Sequence, residues 1–364
     1  MSWEAGESLL LAASKEITSA GETVVRWTPA GITGLNGLPS AERYWHLAFS
    51  PDGRALWASP SRENSDWALS DVMDLATGTI WAGQCWDTGV AVHPAGGLVA
   101  TLDSEQGGTN VLFARIDQGR APAAMRLLSR ALILDADGYA TPLFSPDGRH
   151  LAIRGNSYGY SLDVFEFPSL KRVLATTSAE YRWAGMNQQE KWDWSRHNIA
   201  FGAQPGILWA GTSSGTLIEA DLDSRQSASH HDVLDGSPLT GLAATASGDV
   251  IVATGGGDLA LVAVTAGQAT AFAPDGLHGQ VAAFLSSTSV VPDDRDLWAH
   301  LVVTDGVRTW DPRELATITA TTEADPSWLQ MTAFGNKARS RRTGEPPASR
   351  DSSPPYDEED RPPW

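Results

Sequence analysis

An all-β fold of repeated four-stranded sheets is what this sequence predicts, and three observations predict it. A short apolar triplet recurs seven times: Leu10-Leu11-Ala12, Leu56-Trp57-Ala58, Leu98-Val99-Ala100, Leu151-Ala152-Ile153, Leu208-Trp209-Ala210, Ile251-Val252-Ala253 and Leu297-Trp298-Ala299. The copies stand 46, 42, 53, 57, 43 and 46 residues apart, a period that corresponds to one propeller blade per repeat. Tight-turn chemistry precedes two of them, at Ser50-Pro51-Asp52-Gly53 and Ser145-Pro146-Asp147-Gly148. The composition fits as well: 35 glycines and 15 tryptophans in 364 residues suit many turns and packed sheet faces. The expectation is one seven-bladed β-propeller over residues 1–335, with a disordered tail over 336–364.

The elements follow from the repeat. Residues 44–50 (YWHLAFS) read as an inner strand, 54–59 as a second, 67–75 as a third and 79–83 as a fourth. The same succession is expected at 90–117, 140–177, 199–223 and 242–267, with Gly255-Gly256-Gly257 as a hairpin turn. The next unit is less regular: 280–286 reads as an inner strand, 287–296 as a long connection, and 297–304 and 306–318 as strands. The first 30 residues supply second and third strands without an inner one. Residues 328–334 (WLQMTAF) are expected to supply it, so that both ends join in a seventh blade and leave no open edge.

Residues 304–311 (TDGVRTWD) match the strand-ending motif of WD repeats, and the Phe-Ser-Pro-Asp-Gly turns at 49–53 and 144–148 are frequent in that family. The chain resembles the WD-repeat propellers over about residues 8–335, in a divergent form; the turns also occur in TolB-like and prolyl-oligopeptidase-type propellers. The resemblance implies a protein–protein interaction platform without chemistry of its own. Fold alone does not dictate that role.

Composition narrows the partner classes. A net charge of −18 opposes nonspecific approach to nucleic acid or anionic membrane. No window reaches the roughly 20 apolar residues of a membrane span. The first residues lack the basic start and long apolar core of a secretory signal. A cytoplasmic, monomeric protein that binds other proteins is expected. The single Cys85 rules out an intrachain disulfide and reads as a small packed side chain.

The longest repeat interval holds the most informative local composition. Residues 178–198 gather Tyr181, Trp183, Met186, Trp192 and Trp194 among Arg182, Lys191 and Arg196. Trp and Arg offer large contact area with a polar handle, which is why binding hot spots favour them. The competing explanation is that these rings plug one end of the channel or pack on a neighbouring blade. Tyr44 and Trp45 stand at the entrance of an inner strand and join the candidate surface, although packing alone also explains them. In the tail, Pro354, Pro355, Tyr356 and the terminal Trp364 form a candidate extended ligand for an aromatic groove.

Other clusters carry less. Arg62, Glu63 and Asp66 read as solvated loop charges. His230 and His231 are adjacent, a poor arrangement for one metal ion, and no third ligand follows at a useful spacing. His278 reads as structural. Asp293, Asp294 and Asp296 lack the glycine that shapes a calcium loop. No metal or cofactor is expected. There is no nucleophile elbow, zinc-helix motif or phosphate loop. A channel-mouth hydrolase or lyase, whose residues converge from several blades, and a small-ligand or glycan sensor remain the alternatives to the interaction platform. A regulatory or toxin-neutralising subunit with a threaded tail is a third.

Overall fold

The structure is a computed structural model that describes residues 2–4, 8–12, 24–28, 31–34, 44, 46–60, 69–86, 88–105, 107–117, 123–135, 138–140, 142–155, 160–176, 187–231, 233–245, 247–264, 274–292 and 297–343. Among these, six sheets follow one another along the chain. Sheet 1 comprises β1 (Ser2–Glu4), β2 (Ser8–Ala12), β3 (Val24–Thr28) and β4 (Gly31–Gly34). Sheet 2 comprises β5 (His46–Phe49), β6 (Ala55–Ser59), β7 (Asp71–Asp74) and β8 (Ile80–Ala82). Sheet 3 is built on β9 (Thr88–Val92), β10 (Leu98–Glu105), β11 (Gly108–Asp117) and β12 (Ala124–Leu134). Sheet 4 has β13 (Leu143–Phe144), β14 (His150–Arg154), β15 (Leu162–Glu166) and β16 (Arg172–Thr176). Sheet 5 has β17 (Ile199–Phe201), β18 (Ile207–Gly211), β19 (Leu217–Asp221) and β20 (Gln226–His230). Sheet 6 has three strands, β21 (Leu239–Ala244), β22 (Val250–Thr254) and β23 (Leu259–Val262).

The strands named for each sheet form an antiparallel meander, and the first strands of sheets 2 to 6 adjoin in chain order. This mostly-β succession is consistent with an all-β propeller. The two Ser-Pro-Asp-Gly turns are built alike. Ser50 Oγ donates to Asp52 Oδ1 (2.6 Å) and accepts from the Ala55 amide (2.9 Å). Ser145 Oγ donates to Asp147 Oδ1 (2.5 Å) and accepts from the His150 amide (2.9 Å). Gly53 and Gly148 both take φ 66°, a left-handed value that a side chain disfavours.

The core lies between consecutive sheets. Trp57, Val72 and Trp86 of the sheet 2 region meet Val99, Leu112 and Leu127 of sheet 3. Leu98, Val111 and Phe113 on the opposite face of sheet 3 meet Leu151, Ile153 and Phe165 of sheet 4. Sheet 4 meets sheet 5 through Val164, Ile199 and Leu208, and sheet 5 meets sheet 6 through Trp209, Val250 and Val252. The repeated triplets therefore alternate: neighbouring residues face neighbouring sheets, which explains why they are apolar without interruption.

The last third of the chain departs from the expected repeat. Residues 280–286, expected as a strand, lie in helix α2 (Pro274–Ser286). Val281 and Phe284 are buried at helical spacing, and the Phe284 ring lies 4.9 Å from Phe113 and 5.1 Å from Phe167. The triplet Leu297-Trp298-Ala299 is a short 3₁₀ turn and not a strand. The WD-like segment forms a hairpin of β24 (Val302–Thr304) and β25 (Thr309–Trp310), and β24 pairs in parallel with β12 at the outer edge of sheet 3. Trp310 is buried there, and Asp311 caps helix α3 (Pro312–Thr317), accepting from the Glu314 amide at 2.8 Å.

Closure through a strand at 328–334 is overturned. Those residues lie in helix α4 (Ser327–Thr343). Trp328, Leu329, Thr332, Ala333 and Asn336 form one buried stripe at helical spacing. Trp328 stands edge-on to Trp310 at 5.0 Å. Asn336 Nδ2 donates to the carbonyls of Leu315 (2.8 Å) and Ile318 (2.7 Å). Sheet 1 needs no borrowed strand, because β1 pairs with β2. Helix α4 also carries residues 336–343, expected as tail, in regular structure, while residues 344–364 lie outside the described residues. No helix among the described residues is long and apolar enough to cross a membrane.

Candidate functional site

The aromatic segment between sheets 4 and 5 resolves into a helix over its C-terminal half. Helix α1 (Gln188–Arg196) opens on a capping box: the Glu190 amide donates to Asn187 Oδ1 (3.0 Å), and the Asn187 amide donates to Glu190 Oε2 (2.7 Å). The signature Asn-x-x-Glu is present in the sequence at 187–190.

Trp194 fixes this helix to the sheets. Its side chain is fully buried, with the Arg154 guanidinium 4.8 Å from its ring and Tyr160 edge-on at 5.9 Å. Arg154 ends β14 and Tyr160 precedes β15, so the indole is held by sheet 4. The helix then leads into sheet 5 through a staple across two sheets. The Leu242 amide of β21 donates to the His197 carbonyl (2.9 Å), and the Gly211 amide of β18 donates to the Asn198 carbonyl (2.8 Å). Asn198 Nδ2 returns a bond to the Gly211 carbonyl at 3.1 Å. Sheets 4, 5 and 6 thus all hold the helix.

A histidine pair flanks this end of the helix. Burial pushes the His46 imidazole down to about 4, and the Arg196 charge adds to the shift. Burial and Arg196 also lower His197. One guanidinium acting on both rings brings β5 of sheet 2 and the start of β17 to a common electrostatic environment. His46 packs beside the Trp86 indole with centroids 6.2 Å apart. The His46 imidazole is neutral at pH 7, while Asn187, Glu190 and Arg196 are exposed.

The sequence-predicted residues divide accordingly. Trp194 is a buried anchor and offers no free surface, so its role as a direct contact is corrected to that of a fastener. Tyr44 is likewise buried, its hydroxyl donating to Asp71 Oδ2 at 2.5 Å, which makes it a link between β5 and β7. Trp192 lies on α1, and its side chain is outside the described residues, as are Tyr181, Arg182, Trp183, Met186 and Trp45. Pro354, Pro355, Tyr356 and Trp364, together with Arg62, Glu63, Asp66, Asp293, Asp294 and Asp296, also lie outside the described residues.

Of the remaining candidates, His230 Nε2 sits 3.2 Å from Glu219 Oε2 and His231 Nδ1 3.4 Å from Thr216 Oγ1, separate contacts that share no site. Among the described residues no group of three or more His, Cys, Asp or Glu is placed to hold a metal ion. Cys85 is partly exposed. Sequence reasoning missed Arg154, Tyr160 and His46. No motif marks them, since their roles arise from packing across distant repeats; the Asn187 capping box was the one local signal available.

The sequence matches no family and no curated protein. Its chain course is similar to chains in crystal structures of a mitotic checkpoint complex (14% identity over 80% of this chain and 78% of that one, TM-score 0.44). It is also similar to a protein from Lactobacillus plantarum (15% identity, 71% and 81% covered, TM-score 0.44). A third is Sqt1 from Chaetomium thermophilum (14% identity, 65% and 61% covered, TM-score 0.44). Likenesses of this degree carry no argument about role, and the fold rests on the sheet succession itself.

Proposed function

We propose that the protein is a non-catalytic interaction platform, a propeller-type body that presents the 178–198 segment to a protein partner. The observation that supports this most is the seating of α1. A capped helix whose buried Trp194 is clamped by Arg154 and Tyr160 gives the aromatic residues beside it a fixed base. Rigid presentation lowers the ordering cost of binding. On this reading Tyr181, Arg182, Trp183, Met186 and Trp192 supply the contact, with Trp45 at its border. The Pro354-Pro355-Tyr356 and Trp364 motifs form a second, extended contact. The partner bears an apolar, arene-accepting surface, and nothing in the reading calls for a cofactor.

The test is affinity capture from native cells with the full chain and with a chain ending at Thr343. A partner held by both forms assigns binding to the body; one lost with the tail assigns it to residues 344–364. Recovery of no protein by either form would overturn the reading.

A further inference from the structure

The outward side of α4 carries an inference independent of the 178–198 surface. Helix α4 contains no acidic residue, yet its second half carries Lys337, Arg339, Arg341 and Arg342 in a chain of net charge −18. The helix turns Trp328, Leu329, Ala333 and Asn336 inward, where all four are buried. Arg339 belongs to that packed side, its Nη2 donating to Asn336 Oδ1 at 2.7 Å. Phe334, Lys337 and Arg341 stand three and four residues apart, so they share the opposite side of the helix. Lys337 and Arg341 are exposed, and Phe334 is half-buried. Among the described residues no ion pair engages either cation.

The helix alone does not account for this face. Its dipole favours cations in the last turn, which explains Arg341 and Arg342. Lys337 lies before that turn, and like charges four residues apart repel. The face therefore calls for anions, and an aromatic ring lies beside its cations. One run of the same chain has matching chemistry. Residues 354–360 read Pro-Pro-Tyr-Asp-Glu-Glu-Asp, four consecutive carboxylates behind a Pro-Pro-Tyr motif. Thirteen residues, 344–356, separate the end of α4 from the first of these carboxylates. Extended, they reach about 45 Å, while the way back from Thr343 to Lys337 is about 9 Å. A segment tethered this closely meets the face at an effective concentration of about a millimolar.

We propose that Asp357, Glu358, Glu359 and Asp360 dock in cis on the Phe334–Lys337–Arg341 face, as a clasp that holds this part of the tail against α4. The carboxylates meet Lys337 and Arg341, and Tyr356 covers Phe334. On the reading that Pro354, Pro355 and Tyr356 bind a partner, the clasp withholds them until that partner displaces it. The clasp itself requires no partner.

Carbodiimide coupling of the full chain, read by peptide mass, tests this, since the reagent joins a lysine amine to a carboxylate in contact with it. The chain has four lysines to compare: Lys15, Lys171, Lys191 and Lys337. Docking predicts that Lys337 couples to 357–360 about five-fold more than to Glu345 or Asp351, although these stand closer along the chain. Tethering without docking predicts the reverse order, and that result overturns the proposal. The 357–360 product should fall about five-fold at about 1 M NaCl, where the screening length is about 3 Å, and equally in Arg341→Gln. An unchanged yield in Arg341→Gln, with amide exchange over 98–117 intact, also overturns it. Dominant coupling of 357–360 to Lys191 would place the run at α1 instead and overturn the assignment to α4. A product that joins two chains and grows with protein concentration would overturn docking in cis in favour of a second copy. None of these results depends on partner capture, so the clasp and the platform reading can fail separately.

Discussion

The Arg154 guanidinium lies 4.8 Å from the centre of the Trp194 indole, with both side chains buried. This contact spans the end of β14 and the middle of α1 and couples the aromatic segment to sheet 4. A cation against a desolvated ring is worth about 2 kcal/mol, and loss of a buried Trp to alanine costs about 3–5 kcal/mol. Trp194→Ala is therefore expected to lower unfolding free energy by about 3 kcal/mol or more. It should also release amide protection over 188–196. Denaturant titration and hydrogen exchange read the two effects.

Stability falls on acidification through His93. This ring is fully buried between Phe144 and Phe167, each 5.0 Å away, and burial pushes it down to about 4 from 6.5. Its Nδ1 accepts from the Ala95 amide (3.1 Å), and Nε2 faces the Gly148 carbonyl at 3.4 Å, which joins the turns of sheets 3 and 4. The unfolded chain takes up the proton at 6.5 and the folded chain only near 4. Stability is thus full above pH 6.5, declines between 6.5 and 4, and is level below. The span corresponds to about 3 kcal/mol at 1.36 kcal/mol per pKa unit. Denaturation midpoints from pH 4 to 7.5 should show a slope that His93→Asn reduces.

Two glycines with similar backbone angles should respond differently to alanine. Gly96 takes φ 70° with open space around it, so Gly96→Ala costs about 1 kcal/mol. Gly148 takes φ 66°, and a Cβ there would lie 2.6 Å from Gln280 Oε1 and 2.7 Å from His93 Nε2. Gly148→Ala is expected to cost about 2 kcal/mol more, as a clash is added to the strained angle. Equal melting temperatures for the two variants would contradict the packing of α2 on this turn.

The C-terminal helix supports sheet 3 from outside. Trp328 is buried against Trp310, and the Ser327 amide donates to Asp135 Oδ1 at 2.6 Å. Trp328→Ala should cost about 3–5 kcal/mol, and a chain ending at residue 326 should lose protection along β12 first. Intact protection over 124–134 in that truncated chain would contradict the assignment.

The regular repeats were legible because two-sided burial writes uninterrupted apolar triplets and because Ser-Pro-Asp-Gly fixes its turns locally. The 274–343 region was misread for a physical reason. Short apolar runs such as 280–286 and 328–334 fit a strand or a buried helix, and periodicity cannot separate them. The helical stripe from Trp328 to Asn336 is present in the spacing, but the same residues also fit the inner strand that the first 30 residues lack. The Trp310-Asp311 pair does end a strand, β25, but the residues after it form helix α3, with Asp311 as its cap, where a continuing strand is expected to Ile318. At the site, Trp194 was noticed for its type, but its burial depends on Arg154 and Tyr160, 40 and 34 residues earlier in the chain.

The most direct test of the platform reading is quantitative capture of the main partner by a Trp183→Ala, Trp192→Ala double variant with unchanged melting temperature. The account predicts recovery at least about ten-fold below the unmodified protein, since hot-spot aromatics cost about 2 kcal/mol or more each when truncated. Equal recovery by the folded double variant would contradict it.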